Sequence, residues 1–339
     1  MFAAIRRIAY YLPAQTLDNA QLAAEFEDWT AEKISEKTGI DARHIAAPGE
    51  CVSDMAIAAA RKLFGTGACA AGDVDFILLC TQSPDYFLPT TACLVQHALG
   101  IPATAGALDF NLGCSGWVYG LGLAQGLIQT GQARRVLLLT SETYSKYIHA
   151  RDKSVRTIFG DAAAATLVEA HEGEGGPFLG PFVYGTDGSG AENLMVPAGA
   201  MREPSNETTG RVEADGQGNA RSRDNLYMNG AEIFNFTLKT VPASVEELLR
   251  RSGLSLDEVD LFVFHQANQY MLQHLRKKLK IPAERFSIRM RACGNTVSST
   301  IPIALADELE AGNLHAGQRV MAVGFGVGYS WAAALLRWV

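Results

Sequence analysis

Gly106-Ala107-Leu108-Asp109-Phe110-Asn111-Leu112-Gly113-Cys114-Ser115-Gly116 reads as a short buried strand entering a tight turn, and residues 117–129 continue it as an apolar helix without proline. A cysteine at a strand-to-helix turn sits at the positive end of the helix macrodipole. That position favours the thiolate, which is the nucleophile. Gly113 and Gly116 let backbone crowd the sulfur and leave room for a substrate. The other reading of Cys114 is a small buried hydrophobe.

The surrounding chain has 339 residues, 48% of them apolar and 19% charged, with a net charge of -7. It is long enough for two domains or one large duplicated unit. No extended basic tract offers itself to phosphates, so nucleic acid is not an expected partner. The six cysteines form no CxxC pair and suggest neither a zinc site nor a disulfide framework. A reduced, cytoplasmic setting follows as the expectation. Met1-Phe2-Ala3-Ala4-Ile5-Arg6-Arg7-Ile8 reads as a first strand rather than a signal peptide. Residues 320–339 are apolar enough to mimic a membrane span, but Gly324, Gly326 and Gly328 favour two buried strands joined by a glycine turn.

The chain looks duplicated. Asp73-Val74-Asp75-Phe76-Ile77-Leu78-Leu79-Cys80 aligns with Glu258-Val259-Asp260-Leu261-Phe262-Val263-Phe264-His265, at an offset of about 185 residues, too long for a solenoid repeat. A helical pattern precedes each run, over residues 54–64 and 245–251. Ser244-x-x-Glu247 reads as the second helix's capping box and Gly253 as its stop. Gly131-Gln132-Ala133-Arg134-Arg135-Val136 likewise resembles Ala316-Gly317-Gln318-Arg319-Val320. Alternating strands and helices predict α/β layers with mainly parallel sheets. Two like halves, 1–173 and 174–339, are expected. Residues 198–225 are polar and glycine-rich, a surface excursion read as a passive insertion in preference to a lid.

His265 ends an apolar strand, at the carboxyl edge where α/β sheets place their sites. A hydrogen-bonded structural histidine is the alternative. Asn295 lies in Cys293-Gly294-Asn295-Thr296-Val297-Ser298-Ser299-Thr300, a polar turn before a helix. It is either a turn residue or an amide donor facing a developing oxyanion. With Cys114 these make a Cys-His-Asn set suited to thioester chemistry: a thiol that takes up an acyl group, and two donors for an enolate. Gly324-Phe325-Gly326-Val327-Gly328 can add a backbone N–H to an oxyanion hole.

Further motifs run in the same order: Tyr11-Leu12-Pro13, Lys37-Thr38-Gly39-Ile40-Asp41-Ala42-Arg43, Ile158-Phe159-Gly160-Asp161-Ala162-Ala163, Met228-Asn229-Gly230-Ala231-Glu232, His265-Gln266-Ala267-Asn268 and Gly326-Val327-Gly328-Tyr329. With Asn111-Leu112-Gly113-Cys114-Ser115-Gly116 and Gly294-Asn295-Thr296 they resemble the β-ketoacyl-acyl carrier protein synthase III family of the thiolase superfamily, over essentially the whole chain. The resemblance implies a thiolase-like five-layer αβαβα fold of two homologous halves, and a homodimer. It implies that Cys114 takes up a primer acyl group. His265 and Asn295 would then promote decarboxylation of malonyl-acyl carrier protein, and the N–H groups of Cys114 and Val327 would form the oxyanion hole. Asn268, Phe159 and Gly230 are expected to line the substrate path. No cofactor is implied; coenzyme A or phosphopantetheine thioesters are substrates.

The chain also departs from better-known members. Lys33 and Lys153 stand where those members carry a Trp and an Arg that sandwich the adenine of coenzyme A. The stacking platform for coenzyme A is thereby lost, and an acyl-carrier primer is credible. Arg276, Lys277 and Lys278 are expected to dock an acidic carrier protein, a solvated helix face being the alternative. Leu88 matches the residue that reaches into the dimer partner's acyl pocket, where short-chain enzymes often carry Phe. These departures, with an excursion long enough to reshape the pocket entrance, point to a specialised relative, in secondary metabolism or envelope biosynthesis. Acyl transfer to a hydroxyl or amine, non-decarboxylative condensation, and a non-catalytic subunit are the competing readings. Retention of Asn295, and of all three residues together, argues against the first and last.

Overall fold

The computed structural model describes residues 1–26, 29–173 and 176–339. The first sheet contains β1 (Phe2–Tyr11), β2 (Phe76–Cys80), β3 (Gly106–Phe110), β4 (Arg135–Glu142) and β5 (Ala162–His171), in the order β1-β5-β4-β2-β3. β6 (Leu179–Thr186) belongs to the second sheet, and a small hairpin follows, β7 (Glu213–Ala214) with β8 (Ala220–Arg221). β9 (Leu261–Phe264), β10 (Arg319–Gly326) and β11 (Ser330–Arg337) complete that sheet in the order β9-β10-β11-β6. The principal helices are α1 (Val52–Gly65), α2 (Gly116–Gln129), the single turn α3 (Lys153–Arg156), α4 (Gly230–Ser252), α5 (Gln269–Lys278) and α6 (Thr300–Glu310).

Side-chain alternation along the buried strands builds the layers. In β4, Val136 and Leu138 face a core shared with Trp117, Leu121 and Ile128 of α2 and Ile301 and Leu305 of α6. Their neighbours Leu137 and Leu139 face Met55, Ala59 and Leu63 of α1. The second sheet repeats the pattern. Val320 and Ala322 of β10 join the central core, while Met321, Val323 and Phe325 pack under α4 and α5 with Val245, Leu248 and Leu272. Strands with period two bury both faces only if helices cover both. The result is helix, sheet, helix pair, sheet, helix: the five layers that the family resemblance implies.

Two expectations need correction. The sheets are mixed, with three parallel ladders among the seven between these strands. β10 and β11 are joined by a three-residue turn, which only antiparallel pairing permits. The helix expected over 245–251 begins at Gly230, capped by the Asn229 side chain. Ser244 is no cap: it lies mid-helix and donates to Thr240 O at 2.9 Å. Pro242 within α4 has no N–H for the Leu238 carbonyl, and Lys278 Nζ donates to that carbonyl at 2.6 Å. Gly253 does end the helix, at φ +67°. One sheet is drawn from residues 2–171 and the other from 179–337. The expected boundary between residues 173 and 174 touches residues 174 and 175, which lie outside those described.

Candidate active site

β3 delivers the chain to Cys114, and α2 begins two residues later. The turn that carries Cys114 is clamped against β10. A Cβ built on Gly326 would stand 2.8 Å from Cys114 Sγ, and one on Gly324 would stand 2.7 Å from the Cys114 carbonyl oxygen. Neither position tolerates a side chain without displacing the sulfur-bearing backbone. Ser115 Oγ and Ser330 Oγ, 2.6 Å apart, tie the same turn to β11.

His265 extends β9 by one ladder bond, its N–H donating to Val323 O at 2.8 Å. Its ring stands edge-on to Phe325, with centroids 5.5 Å apart. Nδ1 lies 2.7 Å from Thr300 Oγ1. Asn295 is held by its own N–H, bonded to Ile158 O at 2.9 Å, and its Oδ1 accepts from Val297 N at 2.9 Å. That fixes the amide orientation and leaves Nδ2 facing His265 Nε2 at 3.5 Å. Gly294 before it has φ +73°, and a Cβ there would meet Ile158 O at 2.9 Å, so the turn requires glycine on both counts.

A cavity of about 520 Å³ joins Cys114, His265 and Asn295. Phe159, Gly230 and Asn268 line it too. Asn268 is also the N-cap of α5, accepting from Met271 N at 2.8 Å. The sulfur is not poised as the helix terminus alone suggests. Burial, assisted by the charge of Glu142, pushes the Cys114 thiol up to about 12. The backbone N–H groups of Cys114 and Val327 act in the opposite sense, favouring the thiolate, but burial outweighs them. These are the two groups assigned to the oxyanion hole. Burial lowers His265 to about 3, so the free site holds a thiol and a neutral imidazole rather than an ion pair.

Other expected residues lie elsewhere. Lys33 and Lys153 are not among the cavity-lining residues. Lys33 lies in the first turn of the helix Ala31–Thr38, its Nζ 5.7 Å from the Trp29 ring centroid, and Lys153 begins α3. Leu88 is 82% exposed and outside the cavity of its own chain. In the basic cluster, Arg276 bonds Gln273 Oε1 and Ile281 O, and Lys278 serves the Leu238 carbonyl. Lys277 is exposed. Nor is the excursion a passive surface insertion. Asp215, Gln217, Asn219 and Arg221 line the same cavity as Cys114. Its hairpin is anchored inward, Ala220 N bonding Arg151 O at 3.1 Å.

Sequence reasoning missed Thr300 and Glu142. Glu142 closes the apolar strand β4, fully buried, accepting from Gln82 N, Ser83 Oγ and Ser298 Oγ. The same strand-edge signal that singled out His265 was available for it. Thr300 carried no comparable signal among the hydroxyls of Ser298, Ser299 and Thr300. Among the described residues, no group of three or more His, Cys, Asp or Glu is placed to hold a metal, and no helix is long and apolar enough to cross a membrane.

Two mixed sheets around a central helix pair, with a thiol, an imidazole and a carboxamide in one cavity, define a thiolase-like enzyme of acyl-thioester chemistry. The comparisons with known proteins agree. Residues 108–188 match the family model described as 3-oxoacyl-[acyl-carrier-protein] synthase III, and residues 249–338 match the model of its C-terminal part. The chain is 35% identical to the β-ketoacyl-[acyl-carrier-protein] synthase III of Caldanaerobacter subterraneus, over 97% of this chain and 95% of that one. A crystal structure of a 3-oxoacyl-(acyl-carrier-protein) synthase III superposes with a TM-score of 0.99 at 56% identity, covering all of both chains. The Pseudomonas aeruginosa synthase III superposes at 0.87 with 32% identity, covering 100% of this chain and 98% of the other. This chain belongs to the β-ketoacyl-acyl carrier protein synthase III family.

Proposed function

We propose that this enzyme condenses an acyl primer with malonyl-acyl carrier protein through an acyl-Cys114 intermediate. The observation that carries the assignment is the convergence of Cys114, His265 and Asn295 on one cavity. Cys114 Sγ attacks the primer thioester carbonyl, the C–S bond to the carrier breaks, and the thiol proton leaves on the departing carrier thiol. Malonyl thioester then enters and loses CO₂. The electron pair of the broken C–C bond becomes an enolate, whose oxygen receives hydrogen bonds from His265 Nε2–H and Asn295 Nδ2–H. The enolate carbon attacks the acyl-Cys114 carbonyl. The N–H groups of Cys114 and Val327 hold the resulting oxyanion, which collapses to the β-ketoacyl thioester. The released Cys114 thiolate takes a proton from solvent.

A cavity lined by mixed apolar and amide groups suits a pantetheine arm, which both coenzyme A and carrier protein present. Exposed Lys277 is left as the simplest contact for an acidic carrier protein. A homodimer is supported by the loop bearing Tyr86, Phe87 and Leu88, which are 60%, 76% and 82% exposed: apolar groups at a tip with no cover from their own chain. Two homologous halves meeting near residue 173 are supported by the separate parentage of the two sheets. A cytoplasmic setting is supported by six free cysteines.

Intact-mass spectrometry with a panel of acyl-coenzyme A and acyl-carrier donors tests the first step. The acyl adduct is expected on the wild type and absent from Cys114→Ala. CO₂ release from malonyl-carrier protein is expected to fall by about a hundredfold or more in His265→Ala and Asn295→Ala. Intact enzyme that is acylated but never releases CO₂ would overturn the condensation.

A further inference from the structure

We propose that Asn219, in the turn of the β7–β8 hairpin, accepts a hydrogen bond from an amide N–H of the pantetheine arm that carries the acyl group. The proposal rests on the thioester reading of the cavity and adds a recognition element to it.

The turn is organised by Asp215. Its carboxylate accepts from Gln217 N at 2.8 Å, from Asn219 N at 2.9 Å and from Asn219 Nδ2 at 2.9 Å. These bonds, with Arg221 nearby, hold its carboxyl down at about 2, so it is an acceptor throughout the working range. An ionised carboxylate only accepts. The amide nitrogen of Asn219 must therefore face Asp215, and the orientation of the carboxamide is settled. Its Oδ1 is then the half of the carboxamide that Asp215 does not engage. Asn219 is 3% exposed and Oδ1 has no hydrogen-bond partner among the described residues. A buried acceptor left unpaired is costly, and it calls for a donor.

The hairpin is fastened beside the cavity, which Asp215, Gln217 and Arg221 also line. Arg221 bridges Asp152 Oδ2 at 2.7 Å and Asp215 Oδ2 at 3.3 Å, and its guanidinium lies 5.0 Å from the Tyr227 ring centroid. Asn219 and Cys114 line one cavity. The acyl chain of a thioester has no N–H to offer; the pantetheine arm has two amides. An ordered water is the competing occupant, and it requires nothing of the substrate.

The test is the rate of Cys114 acylation by three donors of one acyl group: butyryl-pantetheine with two amides, butyryl-N-acetylcysteamine with one, and S-propyl thiobutyrate with none. The ratio of the pantetheine to the propyl rate isolates what the arm contributes. Asn219→Ala and Asn219→Ser are each expected to reduce that ratio by about fivefold to tenfold. A drop already present with N-acetylcysteamine assigns the contact to the amide nearer the sulfur; a drop confined to pantetheine assigns it to the farther one. Either supports the proposal. A loss in equal proportion for all three donors is a structural effect and overturns it, as does an unaltered ratio. If the wild type forms no acyl-Cys114 with any donor, the thioester reading itself fails. Wild-type acylation with an unaltered ratio in the variants removes only the role of Asn219.

Discussion

His265 Nδ1 lies 2.7 Å from Thr300 Oγ1, and that hydroxyl, with one proton to give, also lies 3.0 Å from Val297 O. When Thr300 donates to Val297 O, it accepts from Nδ1–H, and Nε2 presents a lone pair to the cavity. When it donates to Nδ1, Nε2 carries the proton that an enolate oxygen needs. Rotation of one hydroxyl therefore selects the imidazole tautomer.

Thr300→Val removes that selector and leaves Nδ1 buried without a partner. Decarboxylation is expected to slow about tenfold, with acylation of Cys114 affected less, because only the former uses Nε2–H. Thr300→Ser restores the hydroxyl and most of the rate. Stopped-flow CO₂ release beside intact-mass acylation separates the two steps; equal loss in both would show that Thr300 only supports the fold.

The free enzyme keeps Cys114 as a thiol, because burial raises it to about 12. Below that value the thiolate fraction rises about tenfold per pH unit. Alkylation of Cys114 by iodoacetamide is therefore expected to climb steadily from pH 7 to pH 10 without a plateau. Exposed Cys93 is expected to label faster at pH 7. Peptide mapping of the labelled protein reads both. Early saturation at Cys114 would mean a sulfur already ionised in the resting site.

Burial raises the Glu142 carboxyl to about 8, although three donors reach it. Its folded value lies above the unfolded one, so the stability held with the acid protonated declines as pH rises from about 4.5 through about 8. Glu142→Gln carries no charge to bury, and Ser298 can reverse its hydroxyl to accept from the new amide. Melting temperatures of wild type and variant are expected to diverge between pH 5 and pH 8.5, with the variant flatter. Parallel curves would contradict a raised carboxyl.

Gly326→Ala places a methyl where only 2.8 Å separates it from Cys114 Sγ. The backbone of β10 or of the Cys114 turn must yield, at about 1–3 kcal/mol. Acylation is expected to fall at least about a hundredfold, since the N–H proposed for the oxyanion hole belongs to Val327, the next residue. Acylation rates near wild type would show that the turn has slack.

The basic end of α5 divides by role. Lys278→Ala removes the donor to the Leu238 carbonyl and is expected to cost about 1 kcal/mol of stability by denaturant titration. Lys277→Glu reverses an exposed charge and is expected to raise the KM for malonyl-carrier protein more than it changes kcat, with a weaker salt dependence. If Lys278→Ala alone moves that KM, the docking contact is misassigned.

The sequence marked the strand-turn-helix at Cys114, the strand ending at His265 and the polar turn at Asn295 because each is written locally: apolar period two, glycine at a turn, a polar residue at a strand's end. The apolar runs that become β2 and β9 were legible for the same reason. Ser244 misled because a capping box is also a local pattern. Nothing nearby revealed that α4 had begun fourteen residues earlier and that Pro242 was accommodated by a lysine from another helix. Polar composition does not say which way a loop folds, so nothing local marks residues 198–225 as reaching the cavity.

What the chain determines residue by residue is therefore its alternation of elements and the local turns that carry Cys114, His265 and Asn295. Only tertiary packing decides their chemistry. The sulfur is a buried thiol rather than a ready thiolate because desolvation, set by all the surrounding layers, exceeds the pull of two N–H groups. The tautomer of His265 is governed by a hydroxyl 35 residues away, and the cavity wall is completed by a hairpin whose place depends on Arg221 reaching Asp152. Desolvation and long-range hydrogen bonding belong to the folded chain, and no stretch of sequence carries either alone.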